Sequence, residues 1–263
     1  MSVTKMFVAG AIPGIFIGTA LILYAYFKSK RDGHKPTGRP YSVKEVRDIV
    51  WDAKWALAVP VIILGGIYGG IFTPTEAAAV GVIYGFFVGV FVYKEIKLND
   101  LFKIIVGSAL TSATIMLIVG AATTFGRILA IERIPVMLAQ TIVSYVSSTF
   151  LVLLLINILL LIVGTFMETL AAIVILTPIL LPITTAVGVD PTHFGIIMIV
   201  NLAIGMVTLP VGVNIFVASR IGNVALERVI KGAIWPMIVM IVTLMFITYI
   251  PSISLALPKL FGY

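Results

Sequence analysis

The sequence predicts an all-α polytopic membrane protein, and three observations carry that prediction. Hydrophobic residues make up 60% of the 263 positions and charged residues only 11%, where a soluble domain carries roughly a quarter charged. The mean hydropathy is +1.17, and several windows of about 18 or more residues are nearly free of charge, as helices crossing a bilayer core of about 30 Å must be. The basic residues gather in a few loops, the pattern that sets membrane orientation. That pattern also accounts for the net charge of +7 without invoking nucleic acid. Cysteine is absent, which removes disulfides, thiol catalysis and cysteine metal sites.

The first apolar run, Met6 to Phe27, ends at the basic cluster KSKR and has no small-residue cleavage site, so it reads as a retained span. Further spans are expected at 53–72, 75–93, 102–126, 193–219 and 233–250. Short interfacial helices are expected near 42–53, 134–147 and 223–232. Trp51 and Trp55 in WDAKWAL have the character of interfacial anchors. A hairpin at 150–186 is expected to enter the membrane and leave on the same side. With the loop from Lys28 to Arg47 in the cytoplasm, fourteen of the eighteen Lys and Arg fall inside, leaving Lys5, Arg127, Arg133 and Lys259 outside. A full crossing at 150–186 would move Arg220, Arg228 and Lys231 outward and reduce the split to 11:7.

The hairpin is marked by an interruption. LLLIVGTFMETLAAIVILTPILLPI (Leu159 to Ile183) places a glycine, two threonines and a glutamate inside an apolar run. Split at Gly164, each arm is about 20 Å long, too short to cross alone. Irregular backbone at that depth is tolerated only where protein or a water-filled cavity covers it. Thr165-x-x-Glu168 has the spacing of a capping box, and so does Thr73-Pro74-Thr75-Glu76, with proline at the first helical position. Glu168 therefore has two compatible readings, a helix cap and a negative charge beside a cation site. A second interruption lies in IIMIVNLAIGMVTLPVGVNIFVAS (Ile196 to Ser219), where Pro210 and Gly212 break or kink the helix near Asn201, Thr208 and Asn214.

A broken helix exposes carbonyls at one end and N–H groups at the other, suited to a cation and an anion respectively. Two adjacent breaks point to Na⁺ held by hard oxygen donors beside an anionic substrate, as in secondary transporters. Enzyme chemistry is not indicated. No GxxxxGK[ST] is present for ATP-driven pumping, no serine lies in a nucleophile elbow, and His34 and His193 are far apart and read as interfacial. GIFTPTEAAAV from Gly70 and GTFMETLAAIV from Gly164 share six of eleven residues, a thin trace of an internal repeat.

GGIYGGIFTPTEAAAVGVIYG, GTFMETLAAIVILTPILLPI and NLAIGMVTLPVGVNIFVAS closely resemble the large membrane subunit of tripartite ATP-independent periplasmic (TRAP) transporters, and FVAGAIPGIFIG and RVIKGAIWPMIV extend the match over essentially the whole chain. The resemblance implies an elevator-type ion-transporter fold, of which this chain would form the second inverted repeat with its re-entrant hairpin and broken helix. It implies Na⁺-driven import of organic acids such as C4-dicarboxylates or sialic acid across the bacterial or archaeal inner membrane. A periplasmic substrate-binding protein and a small four-helix membrane subunit are the implied partners. On this reading 1–149 is mostly scaffold and arm. Residues 150–222 form the transport-domain element, with hairpin 150–186 and broken helix 193–219, and 223–263 hold a C-terminal interfacial helix and the last span. The implied Na⁺ site draws on Gly164, Thr165, Glu168, Thr208, Pro210 and Gly212, with Thr169 and Asn214 toward substrate. The acidic position, often Asp in the family, is Glu168, and Leu209 stands where the family usually has proline. The family subunit is longer, with a serine-rich first hairpin and a proline-rich first broken helix that this sequence lacks, so the chain is expected to be a C-terminal portion, unable to transport alone. The competing readings are a non-transporting scaffold half that complements a separate N-terminal half, another anion carrier of the ion-transporter superfamily, and a channel.

Overall fold

A computed structural model describes residues 2–33, 42–145, 148–208 and 212–262. Expectations on His34, Lys35, Arg39, Leu209 and Pro210 lie outside the described residues. Helix is the only regular secondary structure among the described residues. In chain order these are α1 (Val3–Arg31), α2 (Val43–Asp52), α3 (Lys54–Tyr68), α4 (Pro74–Phe87, prolonged by a π turn over Val88–Val92), α5 (Leu98–Ile131) and α6 (Ile134–Tyr145). They continue as α7 (Thr149–Phe166), α8 (Thr169–Ala186), α9 (Pro191–Gly205), α10 (Val213–Gly222), α11 (Leu226–Tyr249) and α12 (Pro251–Leu260). Among the described residues six helical stretches are long and apolar enough to cross a membrane: Val3–Arg31, Pro74–Val92, Asp100–Ile131, Thr149–Phe166, Thr169–Ala186 and Leu226–Tyr249. The chain is a multi-pass α-helical membrane protein, as its composition requires.

Backbone proximity divides the chain into two compact units, one of Lys5–Ser29 with Ala113–Tyr263 and one of Ser2–Thr4 with Lys30–Ser112. In the second unit α2 and α3 meet at a bend of 68°. α2 opens with a capping box from Ser42 and Glu45. The Lys54 ammonium stands 4.2 Å from the Trp51 ring and 5.7 Å from that of Trp55, so the expected interfacial anchors form one amphipathic corner. α3 and α4 pair through close approach: a Cβ on Gly81 would come within 2.9 Å of Ile63. Their connection turns on Gly70 at φ +68°, and α4 begins with a complete capping box, Thr73 to Glu76.

In the first unit α9 is central. On one side it packs against α7 and α8 through Leu153, Ile156 and Leu160 of α7 and Ala172 of α8, which meet Phe194, Ile197 and Leu202. The spacing of the α7 residues at three and four positions is the helical stripe that a buried face needs. On the other side Ile196 packs with Ala9 of α1 and Ile247 of α11. Two expectations change. The stretch 223–232 is not a separate helix. After Asn223 turns the chain at φ +48°, α11 runs unbroken from Leu226 to Tyr249 through Pro236, since a proline there frees only one carbonyl and need not stop the helix. Each hairpin arm is also longer than expected, 18 residues or about 27 Å. α7 passes through Gly164 and ends at Phe166, so arm length no longer argues against a full crossing.

Candidate functional site

The tip of the hairpin lies against the break that follows α9. Gly164 and Gly205 meet backbone to backbone: a Cβ on Gly205 would sit 2.6 Å from the Cα of Gly164, and one on Gly164 would sit 3.1 Å from the Cα atoms of Gly205 and Leu202. Only glycine at both positions allows this approach. At the opposite end of the same two helices, Leu153 and His193 line one cavity. α7 and α9 therefore run in the same direction, and both present their carbonyl ends at the tip. The last intrahelical bond of α7 runs from the Met167 N–H to the Val163 carbonyl at 2.9 Å, and the carbonyls of Gly164, Thr165 and Phe166 lie beyond it. Two like-directed dipoles ending side by side leave partial negative charge there, which a cation relieves.

The crossover supplies the opposite polarity. α10 starts at Gly212, at φ +50°, with no side-chain cap. A Cβ at Gly212 would meet the Thr208 carbonyl oxygen at 2.9 Å, so glycine is required by both conformation and space. The Asn214 N–H donates to the Met206 carbonyl at 3.2 Å, and the Thr169 hydroxyl donates to Met206 Sδ at 3.1 Å. Gly164 and Thr169 from the tip, and Thr208, Gly212 and Asn214 from the crossover, are thus linked through Gly205 and Met206. Pro210 lies outside the described residues.

Two of the expected side chains do something different. The Thr165–Glu168 capping box does not form. Thr165 is inside α7, 3% exposed, and its hydroxyl donates back to the Ile162 carbonyl at 2.8 Å. Glu168 is itself the residue that caps α8, its Oε2 accepting from the Ala171 N–H at 3.1 Å, and its side chain is exposed. Among the described residues the oxygen donors on offer are carbonyls at the end of α7 and that of Thr208 beside Gly212, a hard-oxygen set of the kind that suits Na⁺.

Residues 1–253 match the family described as tripartite ATP-independent periplasmic transporter, DctM component. The chain belongs to that family. It is 50% identical over 254 residues to the isethionate TRAP transporter permease protein DctMQ of Oleidesulfovibrio alaskensis, covering 97% of this chain and 40% of that protein. It is 42% identical over 261 residues to the C4-dicarboxylate TRAP transporter large permease protein DctM of Pseudomonas aeruginosa, covering 99% and 61%. It is 39% identical over 263 residues to the sialic acid TRAP transporter large permease protein SiaM of Vibrio cholerae, covering 100% and 61%. The chain thus spans about two fifths to three fifths of these relatives' length.

In this DctM-family chain the end of the hairpin away from the tip holds polar groups that the sequence placed elsewhere. His193 was expected at an interface, yet it is 2% exposed, and its Nε2 lies 3.1 Å from the Thr248 carbonyl. Asn201 does not reach the break. Its Nδ2 donates to Asn157 Oδ1 at 2.6 Å and to the Ile197 carbonyl at 2.8 Å, and Asn157 Nδ2 donates to the Thr248 hydroxyl at 3.1 Å. A polar ladder therefore ties α7, α9 and α11 together within the apolar core, where most buried polar groups are bonded, while His193 Nδ1 and Asn201 Oδ1 have no partner among the described residues. Asp190 caps α9 by accepting from the Thr192 and His193 N–H groups at 2.7 and 3.2 Å. Burial pushes its carboxyl up, but these donors and the charge of Lys5 outweigh that and hold its pKa below the ordinary value. A cavity of about 360 Å³ opens beside it, lined by Phe150, Asp190, His193 and Tyr249 among others. Gly205, Met206 and Asn157 were missed as site or core-defining residues. Gly205 carried a legible signal, a lone glycine in the apolar run NLAIGM; Met206 and Asn157 carried none.

Proposed function

We propose that this chain is part of the membrane subunit of a Na⁺-coupled secondary transporter that imports organic acids, with the hairpin tip and the α9–α10 break forming one half of the cation and substrate site. The contact of Gly164 with Gly205 carries the reading, because it sets two carbonyl-bearing helix ends beside the uncapped start of α10. Carbonyls of Gly164, Thr165 and Thr208, beside Gly212, hold the cation. Thr169, Asn214 and the N–H groups of α10 face the anion. Glu168 adds a long-range negative charge while capping α8. The hairpin is re-entrant, a reading supported by the placement of basic residues, and it moves across the membrane with α9 as an elevator. A periplasmic binding protein delivers the acid, and a small four-helix subunit completes the scaffold in the cytoplasmic membrane. The names of the relatives, which cite isethionate, C4-dicarboxylate and sialic acid, support an organic anion as the cargo class.

The test is uptake of labelled organic acids into proteoliposomes that hold this chain with a co-expressed N-terminal half of a related permease, the small subunit and the binding protein. Accumulation driven by an inward Na⁺ gradient is the expected result. Uptake that persists with the gradient abolished would remove Na⁺ coupling, and binding of partners without uptake would leave the scaffold role. Glu168→Gln keeps a capping oxygen and removes the charge, so a weakened Na⁺ response is expected. An unchanged response would leave Glu168 as a cap only.

A further inference from the structure

We propose that the second compact unit holds a bound anionic phospholipid, its acyl chain in the cleft between α4 and α5 and its phosphate at Lys94, Lys97 and Lys103. The cleft has a volume of about 510 Å³ and is lined by Val82 and Phe86 of α4, Ile96 of the connection, and Leu101, Ile104 and Ile105 of α5. Ser108 is the one other described residue that lines it. A cleft so lined does not retain water and takes hydrocarbon.

The π turn builds the charged end. The Tyr93 N–H bonds the Val88 carbonyl at 2.9 Å, and the Glu95 and Ile96 N–H groups both return to the Gly89 carbonyl, at 3.0 and 3.3 Å. This folds the chain back over the end of α4. A Cβ on Gly89 would meet the Ile96 side chain at 2.5 Å, so the missing side chain is what lets Ile96 enter the cleft. Lys94, held at φ +57°, and Lys97 flank Ile96, and Lys103 lies between the lining residues Leu101 and Ile104. All three lysines are exposed. Two acids are nearby. Asp100 is engaged in accepting from the Lys97 N–H at 3.2 Å, while Glu95 is exposed. The stretch 94–103 carries three positive and two negative charges. Tyr93, next to Lys94 in sequence, is the kind of aromatic residue that marks a headgroup boundary. Along α4 the lining runs from Val82 to Phe86, about 6 Å of helix axis, and Ile96 closes the end nearest the lysines. Charge at one end and hydrocarbon at the other identify an amphiphile, and basic pockets between membrane helices on the cytoplasmic side take anionic headgroups.

The full chain, purified in mild detergent with phosphatidylglycerol and phosphatidylcholine of matched acyl chains, is examined by native mass spectrometry. Preferential retention of one phosphatidylglycerol is expected. The triple variant K94Q/K97Q/K103Q should lose that preference by at least about fivefold, the effect of one lysine near an anionic surface. Ser108→Trp, which fills the cleft, should lower retention of both lipids. Glycerol phosphate without acyl chains should not compete, whereas competition would make this a free-phosphate site. Equal retention of both lipids, preference unchanged in the triple variant, or a cleft closed to lipid by a second protein helix would each overturn the proposal.

Discussion

Thr73-x-x-Glu76 and Thr165-x-x-Glu168 have the same spacing, yet only the first is a capping box. At the first, the Thr73 N–H donates to Glu76 Oε2 at 2.8 Å and the Glu76 N–H donates to the Thr73 hydroxyl at 3.3 Å. At the second, the helix runs on through Thr165 and the new one starts three residues later, capped by Glu168 alone. Pro74 makes the difference at the first site. It disfavours helical backbone at Thr73 and fits the first helical position. Nothing breaks the chain after Thr165, and helix propagates where it can. Contact with α9 then buries Gly164 and Thr165, which fixes them as the end of α7. The spacing of a capping box is thus a permission that chain stiffness and packing can withdraw.

Four substitutions sharpen or break this contrast, in falling order of expected effect. Gly205→Val should be the most damaging, because its Cβ meets backbone at 2.6 Å and backbone cannot yield as a side chain does. A loss of about 1–3 kcal/mol or more is expected, read as a lowered melting temperature in detergent. If the variant melts normally, the tip does not dock on α9. Thr73→Ala should cost about 1 kcal/mol by removing a cap. Thr165→Val should cost clearly less, since its hydroxyl only returns to a carbonyl within its own helix. Equal costs would restore the capping box at the tip.

The smallest effect concerns another acidic cap, Asp190. Its pKa is held below the ordinary carboxylate value, so it contributes stability above that value and loses it as pH falls through the depressed one. Melting temperatures taken from about pH 6 down to about pH 3 should therefore fall less steeply for Asp190→Asn, which keeps a capping oxygen but cannot be protonated there. Parallel acid limbs for the two proteins would assign the acid sensitivity to other groups.

The faint internal repeat located the second helix start better than the motif did. Its register sets Thr73 opposite Met167, within one residue of the actual cap, whereas the capping-box spacing missed by three. The repeat reflects a shared loop-to-helix geometry, while the motif considers only four residues.

Composition by itself determined that this is an all-helical membrane protein, and the glycine, threonine and proline positions marked two interruptions to within a few residues. Those properties follow from transfer energies and local backbone chemistry, which short stretches of sequence express. Only the tertiary structure decided that Gly164 meets Gly205, that Thr165 is buried within α7, and that Asn157, Asn201 and Thr248 share one polar ladder. Each of these depends on contacts between different helices, and whether a threonine, asparagine or histidine faces a ligand, lipid or core depends on what packs against it.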